Sequence, residues 1–239
     1  DSIAMREAQA RGLVVADQVA LECDLSFICL AERAGEPVLA SAWAALDAGQ
    51  DVLVTTGTAS GKSLAYQGPI LASQLRDPAA TALALFPTKA LAASQAEAFQ
   101  ALAEAAGVGA STVVRYDGDT PAHQRAAARA AVRTLLTNPD MLHAGVLPHH
   151  TLWRTWLAHL AWIVVDEGHV YRGGVGGHLA GVLRRLLRLA QAYGADPRIV
   201  ATSATLGNPT EHARRVLGRD VVHVAEDAAP KAAREVWVA

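Results

Sequence analysis

An α/β fold with a parallel β-sheet flanked by helices on both faces is predicted for this chain by three observations. Short apolar runs rich in β-branched residues alternate with Ala- and Leu-rich helical stretches from residue 50 onward. Most of these runs are continuously apolar, without the apolar–polar alternation of a strand that faces water on one side, so the sheet is buried on both faces. Each run ends in polar or Gly/Pro punctuation, as strands joined by helical crossovers do.

The strands are predicted at 51–55, 81–86, 112–116, 133–137, 162–166 and 199–203. Helices are predicted at 63–74, 90–106, 121–131 and 178–193, where arginines interleave with leucines in the last, with a shorter one at 208–217. Residues 1–47 show helical patches at 5–10 and 37–46 but no motif. They are read as a helical N-terminal appendage to a domain spanning 48–239. The run Gly173–Gly177 reads as a mobile or tight loop.

Composition narrows the function. The 239 residues suit one large domain, and 51% hydrophobic with 18% charged residues is the balance of a folded protein. A formal charge of −2 gives no general field for holding a polyanion, so any nucleic-acid contact must be local. Cys23 and Cys29 match neither a zinc knuckle nor a disulfide framework, and no apolar run approaches a membrane span or a signal peptide. A cytoplasmic protein is expected, with no membrane partner, and an Asp first residue suggests that the natural N-terminus lies upstream.

Two motifs carry the chemistry. Thr56-Gly57-Thr58-Ala59-Ser60-Gly61-Lys62-Ser63 leaves an apolar strand and opens a helix, the setting of a phosphate-binding loop. Its small residues let backbone N–H groups converge on the phosphates of ATP; Lys62 adds a mobile positive charge and the Ser63 hydroxyl a ligand for Mg²⁺. The strict pattern wants Gly where Thr56 stands. The run Trp162–Val165 ends in Asp166 and Glu167, which places two carboxylates at a strand's C-terminal end, where α/β sheets bind ligands. Asp166 is assigned to Mg²⁺ through water, and Glu167 to polarising the water that attacks the γ-phosphate.

Further residues suit a grip on a sugar-phosphate chain. Thr88 and Lys89 stand at a strand end and open a helix, and Thr137 and Asn138 end another strand; taken singly, each pair reads equally well as a helix cap or a turn. His149, His150, Trp153 and Trp156 could stack on bases, but core packing is the better account of the tryptophans. A zinc site from His143, His149 and His150 is rejected because no cysteine or carboxylate spacing supports it.

With Ser203-Ala204-Thr205 at the end of the next strand, these segments resemble the ordered motifs of superfamily 2 DExH-box helicases, over residues 48–239. The resemblance is closest to the YprA-like branch, the mitomycin-repair type of DNA helicase. The phrases that carry it are Thr58–Tyr66, Tyr116–Pro121, Leu136–His143 and Leu147–His150, with Tyr171-Arg172-Gly173 after the acidic box. It implies a RecA-like P-loop NTPase domain of three αβα layers, the first motor domain of an ATP-dependent DNA helicase or translocase. It further implies Mg-ATP as the fuel, single-stranded DNA or a duplex junction as the track, and a second RecA-like domain as partner. By the same resemblance His169, Ser203 and Thr205 couple the ATP site to the DNA site, and Thr88, Lys89, Thr137 and Asn138 contact nucleic acid.

Leu39 stands where such helicases carry an adenine-reading Gln, and no second motif set follows within the chain. This piece alone is therefore expected to hydrolyse ATP weakly. A P-loop kinase would leave residues 87–91, 137–140 and 203–205 unexplained. A catalytically incompetent helicase-like lobe that holds DNA or a partner is the alternative.

Overall fold

The computed structural model describes residues 37–55, 62–204 and 206–225. Among them the elements run α1 (Pro37–Asp47), β1 (Val52–Thr55), α2 (Leu64–Arg76), β2 (Thr81–Leu85), α3 (Lys89–Ala105), β3 (Val113–Arg115), α4 (Ala122–Ala131) and β4 (Thr134–Thr137). A helical segment follows over residues 139–158, then β5 (Leu160–Val165), α5 (Gly173–Ala192), β6 (Arg198–Ser203), α6 (Pro209–Leu217) and β7 (Val222–Val224). The strands form one sheet in the order β3-β4-β2-β5-β6-β1-β7, and every pairing is parallel.

The strands bury alternate side chains in two cores. Leu53, Leu83, Leu85, Ile163, Val165 and Ile199 face the layer built from residues 139–158, α5 and α6. Val52, Val54, Ala82, Ala84, Val164 and Val200 face α1, α2 and α3. Successive strand residues point to opposite faces and both faces are covered, which is why the sequence shows unbroken apolar runs.

The sheet fixes which residues meet at its working edge. Leu85 pairs with Val165 and Val165 with Ala201, so Asp166 emerges beside Thr202, while Thr55 pairs with Ser203. At the opposite end, Asp51 Oδ1 accepts from the Ile199 N–H at 2.7 Å and Arg198 Nη1 donates to the Gly49 carbonyl at 2.6 Å. These bonds pin β1 to β6 in register.

Two expectations are revised, and two further elements lie outside the sequence reading. Residues 37–47 form α1, and Val38, Leu39, Ala42, Trp43 and Leu46 are buried against β1 and α2, so this helix belongs to the core and not to an appendage. The Gly173–Gly177 run is the first turn and a half of α5 and not a loop. Gly176 explains part of this, since a Cβ there would stand 2.4 Å from the Tyr171 carbonyl oxygen, so only glycine lets the helix seat on that turn. Residues 139–158 are helical in a broken way, with a kink at His149. Strand β7 was not expected from the sequence at all. The helical patch at 5–10 lies outside the described residues, as do 226–239.

Candidate functional site

Parallel strands put their C-terminal ends on one edge. The tips of β1, β6 and β5 stand side by side there, followed by those of β2 and β4. Of the phosphate loop, residues 56–61, from Thr56 to Gly61, lie outside the described residues, as does Thr205. Lys62 and Ser63 are described, in the turn that opens α2.

Lys62 Nζ donates to the Ser203 carbonyl at 3.5 Å, which brings the β1 loop across to the tip of β6. Asp166 follows β5 and is 8% exposed. Its Oδ1 accepts from the Thr202 hydroxyl and from the Glu167 N–H, the latter at 2.9 Å. Burial pushes the Asp166 carboxyl above the usual carboxylate range; the Thr202 hydroxyl and the more distant Lys62 ammonium act against that rise, and the Glu167 charge adds to it. Lys62, Asp166, Glu167 and Ser203 thus gather on one edge.

Glu167 is the only non-glycine residue with a positive φ among the described residues, at 52°. That left-handed backbone costs about 1–3 kcal/mol. The turn is held by Gly168, where a Cβ would stand 3.2 Å from the Thr202 carbonyl oxygen, and by His212 Nε2, which donates to the Gly168 carbonyl at 3.0 Å. His169 Nδ1 lies 3.3 Å from the Ala204 N–H and 3.2 Å from Glu167 Oε2. With Nδ1 bare the ring accepts from Ala204, and with Nδ1 carrying the proton it donates to Glu167, so one imidazole links the acidic box to the segment after β6.

Two hydroxyls here are buried without a hydrogen-bond partner: Ser203 Oγ and Tyr171 OH. Leaving a buried hydroxyl unsatisfied costs about 1–3 kcal/mol, which marks both as groups whose partner is not in the described chain in this state. The Tyr171 hydroxyl is pushed up by burial and then by Asp166, Asp140 and Glu167, so it stands between the acidic box and the β4 segment. Tyr66 was not singled out from the sequence. Its hydroxyl donates to Gln95 Oε1 at 3.2 Å and is pushed up by burial and by Asp166, which makes it part of the site's floor. Thr202 was missed too, because a hydroxyl inside an apolar strand gains meaning only from the register that sets it beside Asp166.

The expected nucleic-acid contacts divide. The Thr88 hydroxyl caps α3 by accepting from the Leu91 N–H at 3.2 Å, and Lys89 Nζ pairs with Asp119 Oδ1 at 2.8 Å; both residues are exposed. Asn138 accepts from the Met141 N–H at 2.8 Å. Thr137 is fully buried and its hydroxyl donates to the Tyr116 carbonyl at 2.5 Å, so the contact expected from its side chain is withdrawn. Trp153 and Trp156 are buried, and His150 Nδ1 lies 2.6 Å from the Tyr193 hydroxyl.

Asp166 carries a further expectation. A carboxyl raised by burial is destabilising once ionised: stability is highest below its unfolded-state pKa and falls as pH rises through the folded-state value. Asp166→Asn keeps an acceptor for Thr202 and Glu167 without the charge. The ligand-free variant is expected to gain about 0.5–2 kcal/mol at neutral pH, read as a higher denaturant midpoint. A midpoint at or below that of the native chain would show that the charge is already compensated.

The profile of DEAD/DEAH box helicases matches residues 36–213 of the chain. The uncharacterized ATP-dependent helicase YprA of Bacillus subtilis (strain 168) is 42% identical over 190 residues, which is 80% of this chain and 25% of YprA. The ATP-dependent helicase HRQ1 of Saccharomyces cerevisiae is 42% identical over 197 residues, 81% of this chain and 18% of HRQ1. The crystal structure of the DUF1998 helicase MrfA bound to DNA and AMPPNP is 41% identical with a TM-score of 0.78, over 81% of this chain and 27% of MrfA. The chain thus spans between 18% and 27% of the length of these relatives.

Proposed function

Because this chain belongs to the DEAD/DEAH box helicase family, we propose that it is the ATP-binding first motor domain of a DNA helicase, in which fuel and track meet at one edge of the sheet. Its parallel sheet with helices on both faces is the RecA-like architecture of such domains. The observation that carries the proposal is the convergence of Lys62, Asp166, Glu167 and Ser203 on the C-terminal strand tips.

Residues 56–63 cradle the phosphates of ATP with backbone N–H groups, and the Lys62 ammonium swings from the Ser203 carbonyl to the β- and γ-phosphates. Mg²⁺ fits the donors: Ser63 opens α2, and Asp166 commits Oδ1 to Thr202 and Glu167 while Oδ2 stays available. When bound, the ion neutralises phosphate charge. Glu167 orients and polarises the attacking water. His169, Ser203 and Thr205 couple that site to the DNA site; the unpartnered Ser203 hydroxyl supports this, as a group waiting for a contact made in another state. Thr88, Lys89 and Asn138 hold the DNA backbone without reading bases. The domain comprises at least residues 37–225, works with a second RecA-like domain in a longer protein, and is cytoplasmic. No helix among the described residues is long and apolar enough to cross a membrane.

The test is nucleotide titration and DNA-stimulated ATP hydrolysis in the protein that carries this chain, native and Lys62→Ala. Removing the ammonium from a phosphate is expected to cost about 1.5–3 kcal/mol, roughly ten- to a hundredfold in affinity. Unchanged affinity in Lys62→Ala would leave the alternative standing, a lobe that holds DNA or a partner while nucleotide is dispensable.

A further inference from the structure

The chain carries −2 overall, yet the stretch from residue 141 to 195 has five arginines, six histidines and only two carboxylates, Asp166 and Glu167, both at the nucleotide site. The excess positive charge is gathered in the helical layer on one face of the sheet. Helix α5 has Arg184, Arg185 and Arg188 and no acidic residue in its 20 positions. Arg184 and Arg188 are exposed and have no hydrogen-bond or ion-pair partner among the described residues.

Spacing organises these cations. Gly177, Gly181, Arg184 and Arg188 recur at three- and four-residue intervals, so they lie along one face of α5, and all four are exposed. A Cβ on Gly177 or Gly181 would meet nothing within 4 Å, so packing inside this chain does not require glycine there. Each glycine costs the helix about 1 kcal/mol relative to Ala, and its absent side chain leaves room for another molecule's backbone to approach. Arg185 Nη1 lies 2.8 Å from His143 Nδ1, and His143 stacks edge-on against His178 at 5.2 Å. His178 in turn meets Asp140 at 3.4 Å, next to Asn138 at the tip of β4. The start of α5, at His178, therefore lies beside the β4 tip assigned to DNA, and the face carrying Arg184 and Arg188 lies farther along the same helix.

We infer that the outer face of α5, through Arg184 and Arg188, is a second nucleic-acid-binding surface that takes the phosphate backbone of the duplex arm of the DNA. The inference rests on the helicase reading above and adds a contact outside its strand-tip grip. A single strand held at the strand tips needs little beyond them. A duplex leaving that edge is rigid and meets the flank as a straight rod. Twenty helical residues extend about 30 Å, close to the roughly 34 Å of one duplex turn, and Arg184 and Arg188 stand about 6 Å apart along it. Free arginines facing a polyanion release counterions, which makes the contact readable by salt.

The experiment measures binding of a tailed duplex and of a single strand against salt concentration, with the native protein, Arg184→Ala/Arg188→Ala and Arg184→Lys/Arg188→Lys. The alanine pair is expected to bind the tailed duplex about tenfold more weakly, with a salt slope shallower by about 2, while single-strand and nucleotide affinities hold and the lysine pair behaves as native. Native-like duplex affinity and slope in the alanine pair would overturn the inference, as would equal losses for duplex and single strand. Failure of the native protein to bind any DNA would instead strike the helicase reading itself.

Discussion

Replacing Glu167 by Gln in the protein carrying this chain is expected to lower DNA-stimulated ATP turnover by about 10²–10⁴-fold while nucleotide affinity stays within a few-fold of native. The split follows from the geometry. Glu167 stands one residue beyond Asp166, on a left-handed turn, with its carboxylate 3.2 Å from His169. Amide for carboxylate preserves size and the turn, which is fixed by Gly168 and His212, but removes the basicity that polarises water. Affinity and rate should therefore separate, in contrast to Lys62→Ala, where both fall. A Glu167→Gln protein that loses nucleotide affinity as steeply as turnover would place this carboxylate in binding and would undo the division of labour between the two acids.

Truncating Trp153 to Ala is expected to cost about 3–5 kcal/mol of folding stability, a large share of the about 5–15 kcal/mol that holds a domain together. Trp153 is 2% exposed and packs edge-on against Tyr116 at 5.3 Å and Trp156 at 5.7 Å. It ties the end of β3 to the helical segment after β4. Its neighbour Leu152 is 64% exposed, and Leu152→Ala should change stability by no more than about 0.5 kcal/mol. Denaturant unfolding of the two variants checks this, and a Trp153→Ala loss under 1 kcal/mol would contradict the packing described. The folded fraction of that variant should still bind DNA, because the indole packs into the core and not against bases.

The parts of this fold that were legible in the sequence are those whose signal is local. Strands such as β2 and β5 are covered on both faces, so Leu83, Leu85, Ile163 and Val165 announce themselves as apolar runs. Lys62, Asp166 and Glu167 were legible because a strand end followed by the right residue types is itself the motif. Strand β7 was not, since Val222, His223 and Val224 are a strand only by pairing with β1, a relation that no short window contains. The start of α5 misled for a different reason: five residues with four glycines read as a loop, and only the 2.4 Å approach at Gly176 shows what the turn beneath requires. Residues 139–158 carry Pro148 and a kink at His149, so no clean helical period survives. Leu39 is 4% exposed among Val38, Ala42 and Trp43, so its side chain serves the core.

A sheet whose strands all run the same way has a working rim and an idle one. The idle rim is made of turns: Gly107 and Gly109 ahead of β3, and Gly194 ahead of β6, each with positive φ and nothing within 4 Å of where a side chain would start. Exposed Ser111 sits beside the first of them. A fluorophore or a surface tether attached there would stand a strand's length, about 20 Å, from the opposite rim. Nucleotide titrations could then be followed by fluorescence with the label clear of Lys62, Asp166 and Glu167.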